Sequence, residues 1–76
     1  MRSKDQAIKS YETGLSFAPD HAPGYLALGN CYYHTGKFTS ALQAYENAVR
    51  LRPDYHEAIN NIEFVKMIMS NEHKAA

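Results

Sequence analysis

Four histidines, one cysteine and a scatter of serines and carboxylates are the groups in this 76-residue chain that could do chemistry. His21, His34, His56 and His73 could offer imidazole to a transition metal. No two of them stand at the His-x-x-x-His spacing that puts both rings on one helical face, and no Cys-x-x-Cys pair accompanies them. Their spread over turns and helix ends reads as surface use. Cys31 would be a nucleophile only as a thiolate, which needs a neighbouring cation or base that the sequence does not supply. It reads instead as a small buried hydrophobe. Ser16 and Ser40 fall in helical patterns with nothing beside them to activate a hydroxyl. Glu57 reads as a helix-capping residue and Glu63 as a solvated one. There is no Gly-rich phosphate loop and no nucleophile motif. The expectation is a chain with no catalysis, no cofactor and no metal.

Composition narrows the class further. The 76 residues allow one small domain, and a hydrophobic content of 45%, with six tyrosines and three phenylalanines, supports a modest core. The formal net charge is zero with both signs interspersed. That removes the basic footprint of a nucleic-acid binder and of a polybasic membrane anchor. No apolar run approaches the roughly 18 residues needed to span a bilayer. Met1 to Gln6 are polar and show no signal-peptide pattern. A single cysteine cannot form an internal disulfide, which fits a reducing compartment, and the expected location is cytoplasmic.

These groups must be positioned by helices. Ser3-Lys4-Asp5-Gln6 has the form of a capping box, with Ser3 as N-cap. Ala7, Ile8, Tyr11, Gly14, Leu15 and Ala18 then mark an apolar face at helical spacing, predicting a helix over 4–17 that ends before Pro19. Gly14 costs about 1 kcal/mol against Ala inside a helix, and a close helix crossing would explain it. A second helix is expected over 22–35, with Pro23 in its first turn and Gly36 closing it in the left-handed conformation. Tyr25, Leu28 and Tyr32 form its apolar face, on which Gly29 lets another helix approach. A third is expected over 38–51, where Ala41, Tyr45 and Ala48 interdigitate with that face and Arg50 and Arg52 sit near the C-terminus. Pro53 ends it. Asp20 and Asp54 each follow a proline and precede a helical pattern, so both are expected as N-caps, and Asp54-x-x-Glu57 has capping-box form. The last helix is expected over 55–70 with the stripe Ala58, Ile62, Val65 and Met69, followed by a frayed tail over 71–76.

Within 22–55 stand Tyr25-x-x-Leu28-Gly29-x-x-Tyr32, then Ala41-x-x-x-Tyr45, then Pro53. That pattern resembles the tetratricopeptide repeat, whose order is an aromatic, Leu-Gly, Tyr, Ala, an aromatic and Pro over 34 residues. Ala7 and Tyr11 lie 34 residues before Ala41 and Tyr45, and Pro19-Asp20 lies 34 before Pro53-Asp54. The first helix therefore resembles the second half of a repeat. The last resembles a terminal capping helix, because Ile59, Glu63 and Lys66 replace the aromatic, Gly and Tyr. With His56 and Ser70 they make a largely polar outer face. The resemblance implies an all-α fold: about four antiparallel helices stacked as helix-turn-helix pairs in a short α-solenoid, one domain over 1–76.

It also implies a non-catalytic protein-protein interaction module. Its concave groove would be lined by Leu26, Ala27, Asn30, Tyr33 and His34 from the second helix. Asn60, Asn61, Phe64, Met67 and Ile68 would line it from the fourth. An Asn amide both donates and accepts, so Asn30 and Asn61 could hold a peptide backbone while Tyr33 and Phe64 cover apolar side chains. Some repeats of the family bind a C-terminal carboxylate with a Lys, Asn, Asn, Lys, Arg set. Asn30 and Asn61 match its asparagines, but Leu26 stands at the first Lys and the last two positions have no counterpart. The competing reading is structural: the C-terminal part of a longer repeat array, or a homo-oligomer self-associating through an apolar N-terminal edge of Ile8, Tyr11 and Leu15. In either case the expected partner is a protein or peptide, not nucleic acid and not a membrane.

Overall fold

Four helices follow one another with short turns between: α1 (Ser3–Phe17), α2 (Ala22–His34), α3 (Phe38–Leu51) and α4 (His56–Ala75). The computed structural model describes residues 3–75, and side chains over 6–71. The side chain of Ser3, and with it the expected capping box, lies outside the described residues, as does Ala76. The substantial pairings are α1 with α2, α2 with α3 and α3 with α4, so each helix rests on the next in sequence. The result is a slab 41 × 34 × 14 Å in extent.

The bounds of α3 coincide with those expected, and α2 ends one residue earlier than expected, at His34. Gly36 has φ +80°. Its N–H donates to the Tyr33 carbonyl at 3.0 Å, and that of Lys37 donates to the Tyr32 carbonyl at 2.9 Å. These two bonds satisfy carbonyls that the helix end would otherwise leave bare, and the left-handed backbone at Gly36 is one that a side chain would strain.

The aspartates do not cap. His21 N–H donates to the Ala18 carbonyl and Tyr55 N–H to the Arg52 carbonyl, at 3.2 and 3.0 Å. Each bond closes a β-turn with Pro at its second position and Asp at its third. The cap position moves one residue on. The His21 carbonyl accepts from Gly24 and Tyr25, and that of Tyr55 accepts from Ile59. His21 makes no side-chain cap bond. Where fraying was expected after Ser70, α4 continues to Ala75.

Tyr45 sits at the centre of the core. It is 1% exposed and packs with Leu26, Ala41, Ala48, Ala58 and Val65, drawn from α2, α3 and α4. Three alanines around one large ring let three helices converge on it. Gly29 completes the fit, since a Cβ there would lie 2.5 Å from Tyr45 Cε1. A second cluster of Ile8, Leu15, Leu28 and Ala44 fastens α1 to α2 and α3. The Tyr32 hydroxyl adds a polar strap, donating to Glu12 Oε2 at 2.5 Å. Gly14 departs from expectation. Nothing lies within 4 Å of a Cβ placed on it, so no helix crosses there.

Candidate functional site

The shared face of α2 and α4 carries the asparagines. Asn30 sits two turns into α2, one residue after the Gly29 notch that lets the Tyr45 ring slide beneath the helix. The Tyr45 hydroxyl emerges beside Asn30 and donates to Oδ1 at 2.6 Å. Asn61 of α4 donates from Nδ2 to the same oxygen at 3.3 Å. Both lone pairs of the Asn30 carbonyl are thereby engaged and its amide plane is held. Among the described residues, the Asn30 Nδ2 group and the Asn61 Oδ1 atom have no protein partner. The pair thus presents one donor and one acceptor, as a peptide bond requires. Burial, followed by the neighbouring Tyr33, Cys31 and Glu57 groups, pushes the Tyr45 hydroxyl up to about 12, so it stays protonated and keeps donating.

Aromatic residues continue the same face. The rings of Tyr33 and Phe64 lie 5.9 Å apart and tilted, and Tyr33 also meets Phe38 at 5.7 Å and His34 edge-on at 5.3 Å. Phe64 is 50% exposed and Met67, one turn on, 57%. Asn60 is exposed and Ile68 half-buried.

Two expected groove residues lie elsewhere. Leu26 is 7% exposed and belongs to the Tyr45 core, because α3 and α4 both close over that side of α2. Ala27 is half-buried and borders a hollow of about 230 Å³ between α1 and α2. The N-terminal edge is also not the apolar patch that was expected. Ile8 and Leu15 are each 8% exposed, covered by Leu28 and Ala44, and only Tyr11 of that trio reaches the surface.

The sequence reading missed the Tyr45–Asn30 bond and the Tyr32–Glu12 strap, which join residues 15 and 20 positions apart. It missed the Arg52 guanidinium 5.0 Å above the Tyr55 ring as well. The basic-aromatic pairing across Pro53 was the only available signal for the last. His34 lies against Tyr33, and His21 against Gly24. Burial raises the Cys31 thiol, which favours its neutral form. Among the described residues, no group of three or more His, Cys, Asp or Glu side chains gathers as a metal site. No described helix is long and apolar enough to cross a membrane.

Antiparallel helices stacked in sequence order, with a glycine notch receiving an aromatic ring, define an α-helical repeat protein. Residues 22–55 match the family model of the tetratricopeptide repeat, so this segment carries one such repeat. It is 36% identical over 50 residues to mouse protein O-mannosyl-transferase TMTC1 and 35% identical over 54 residues to the yeast small glutamine-rich tetratricopeptide repeat-containing protein 2. These matches cover 66% and 71% of the chain but only 5% and 16% of the relatives. Human tetratricopeptide repeat protein 6 is 25% identical over 69 residues, 91% of the chain and 13% of that protein. Tetratricopeptide repeats generally mediate protein-protein interactions.

Proposed function

We propose that the chain is a non-catalytic binding module that holds a peptide segment along the shared face of α2 and α4. The observation that supports this most directly is the Asn30–Asn61 pair, fixed by the core through Tyr45 and left with one donor and one acceptor. Phe64 and Met67 supply apolar surface for one or two side chains of the segment. A carboxylate-terminated ligand held by a full cationic clamp is not part of the proposal, because the first Lys position is occupied by the buried Leu26. The mannosyl-transferase name of one relative describes a protein of which the match covers only 5%, and the proposal carries no transferase activity from it.

A random peptide library displayed on phage tests the proposal. Peptides enriched on the wild-type chain, synthesised and measured by fluorescence anisotropy, should lose binding to an Asn61→Ala/Phe64→Ala variant that melts normally. Enrichment of the same peptides on that variant would defeat it. Neither substitution touches Tyr45, so folding and binding stay separable.

A further inference from the structure

We infer that the peptide held on the α2–α4 face is basic: a Lys or Arg side chain of an extended segment pairs with Glu57, and an apolar side chain a few residues away rests on Phe64. This rests on the proposed peptide-binding role of that face and adds the charge and spacing of its ligand. Glu57, Asn61, Phe64 and Ile68 recur at i, i+4, i+7 and i+11, so they fall on one line along α4. Asn61, within that line, bonds to Asn30 on α2. Glu57 is exposed and stands one turn before it. Its carboxylate is close enough to the Tyr45 hydroxyl to join burial, Tyr33 and Cys31 in keeping that group protonated. The negative charge therefore sits beside the donor and acceptor that the asparagine pair presents.

The chain's own cations lie elsewhere. Among the described residues, Arg50 donates to Asn47 and Arg52 lies over the Tyr55 ring. Lys9 and Lys37 border the hollow beside Glu12. Lys66 projects about half a turn round α4 from Glu57. An acidic ligand would bring a second negative charge to a face with none of these cations on it, whereas a basic one completes an ion pair at its edge.

The line on α4 also sets a spacing. Glu57 and Phe64 are seven residues apart, about 10 Å along a helix axis. An extended segment covers that distance in about three residues. Glu57 has a structural role too, since a carboxylate in the first turn of α4 favours the helix dipole. That role changes the melt of a Glu57 variant, but it does not decide which sign of charge the ligand prefers.

The probes are the peptides enriched from the phage-displayed random library on the wild-type chain, synthesised with a fluorescein label and titrated by anisotropy. They should carry an excess of Lys or Arg about two to four positions from an apolar residue, in either direction. Replacing that basic residue by Gln, or making Glu57→Gln in the chain, should each weaken binding about two- to fivefold, as for an exposed ion pair, and the two losses should not add. A peptide with Glu at the basic position should bind the wild type at least about tenfold more weakly and recover on a Glu57→Lys chain. Both effects should shrink in high salt. Enrichment of uncharged or acidic peptides that still lose binding on Asn61→Ala/Phe64→Ala would overturn this inference and leave the groove standing. Equal binding of the basic peptides by a normally melting Glu57→Gln chain would overturn it too. No enrichment at all, or binding indifferent to Asn61→Ala/Phe64→Ala, defeats the groove and this inference together. A mass that rises with concentration and returns to monomer on Glu57→Lys would make a second copy the occupant, which also overturns it.

Discussion

Tyr45 and Asn30 are joined by a 2.6 Å hydrogen bond that runs from the most enclosed ring in the core to an amide on the outer face. One side chain therefore serves two ends: the ring sets the helix crossing and the hydroxyl sets the orientation of a surface donor. Substitutions at Tyr45 separate these contributions.

Tyr45→Ala should lose about 3–5 kcal/mol, the usual cost of truncating a buried aromatic. That approaches the whole stability of a small domain. Tyr45→Phe keeps the ring and removes only the bond to Asn30, so urea denaturation should show a loss of about 0.5–1.5 kcal/mol. A Tyr45→Ala chain melting like the wild type would show that the ring is not where it is described.

Two helical glycines should respond oppositely to alanine. At Gly29 the added methyl meets the Tyr45 ring at 2.5 Å. Overpacking of that kind costs about 1–3 kcal/mol, more than the roughly 1 kcal/mol gained in helix propensity. Gly14 has open space around it, so Gly14→Ala should instead stabilise by about 0.5–1 kcal/mol. Denaturation midpoints that move in the same direction for both variants would contradict the packing.

Charges placed on α1 discriminate its buried from its open side. Ile8→Glu puts a carboxylate into the Leu28–Ala44 cluster and should destabilise by several kcal/mol. Tyr11→Glu falls at an exposed position bordering the hollow and should change stability by about 1 kcal/mol or less. Circular dichroism melts of the two variants compare them directly.

Alkaline pH should unfold the chain through two tyrosines. The hydrogen bond to Glu12 holds Tyr32 up to about 12, and burial does the same for Tyr45, against an ordinary value of 10.0. Between those limits the unfolded chain has lost protons that the folded chain keeps, so unfolding gains as pH rises. Stability is whole below about 10 and is lost on the way to 12. Melting temperatures measured through this range should fall less steeply in a Tyr32→Phe/Tyr45→Phe variant. An identical slope in both proteins would refute the assignment.

The parts that were legible in the sequence are those governed by periodicity and by backbone chemistry. Gly36 and Pro53 bracket α3 because one permits a left-handed turn and the other cannot extend a helix, whatever packs nearby. Gly29 and Tyr45 declared themselves through complementary size. Less could be read where two elements compete for one residue. Leu26 lies at the border of two faces of α2, and only the position of α4 decides that it is core. The Pro-Asp turns defeated the capping pattern because aspartate suits a turn's third position as well as a helix start. No local signal announces that the Tyr45 hydroxyl reaches back 15 residues to Asn30, since that reach depends on how deeply the ring enters the notch.

Sequence-order stacking makes the chain behave like a zipper with unequal teeth. The cluster around Tyr45 ties α2, α3 and α4 together, while α1 is held by Ile8 and Leu15 against Leu28, Ala44 and the partly buried side chains beside them, and by the Tyr32–Glu12 bond. Opening therefore starts from the α1 side and need not disturb the centre. Amide protons of α1 should exchange with deuterium well before those of α3, while the enclosure of the Tyr45 ring stays intact.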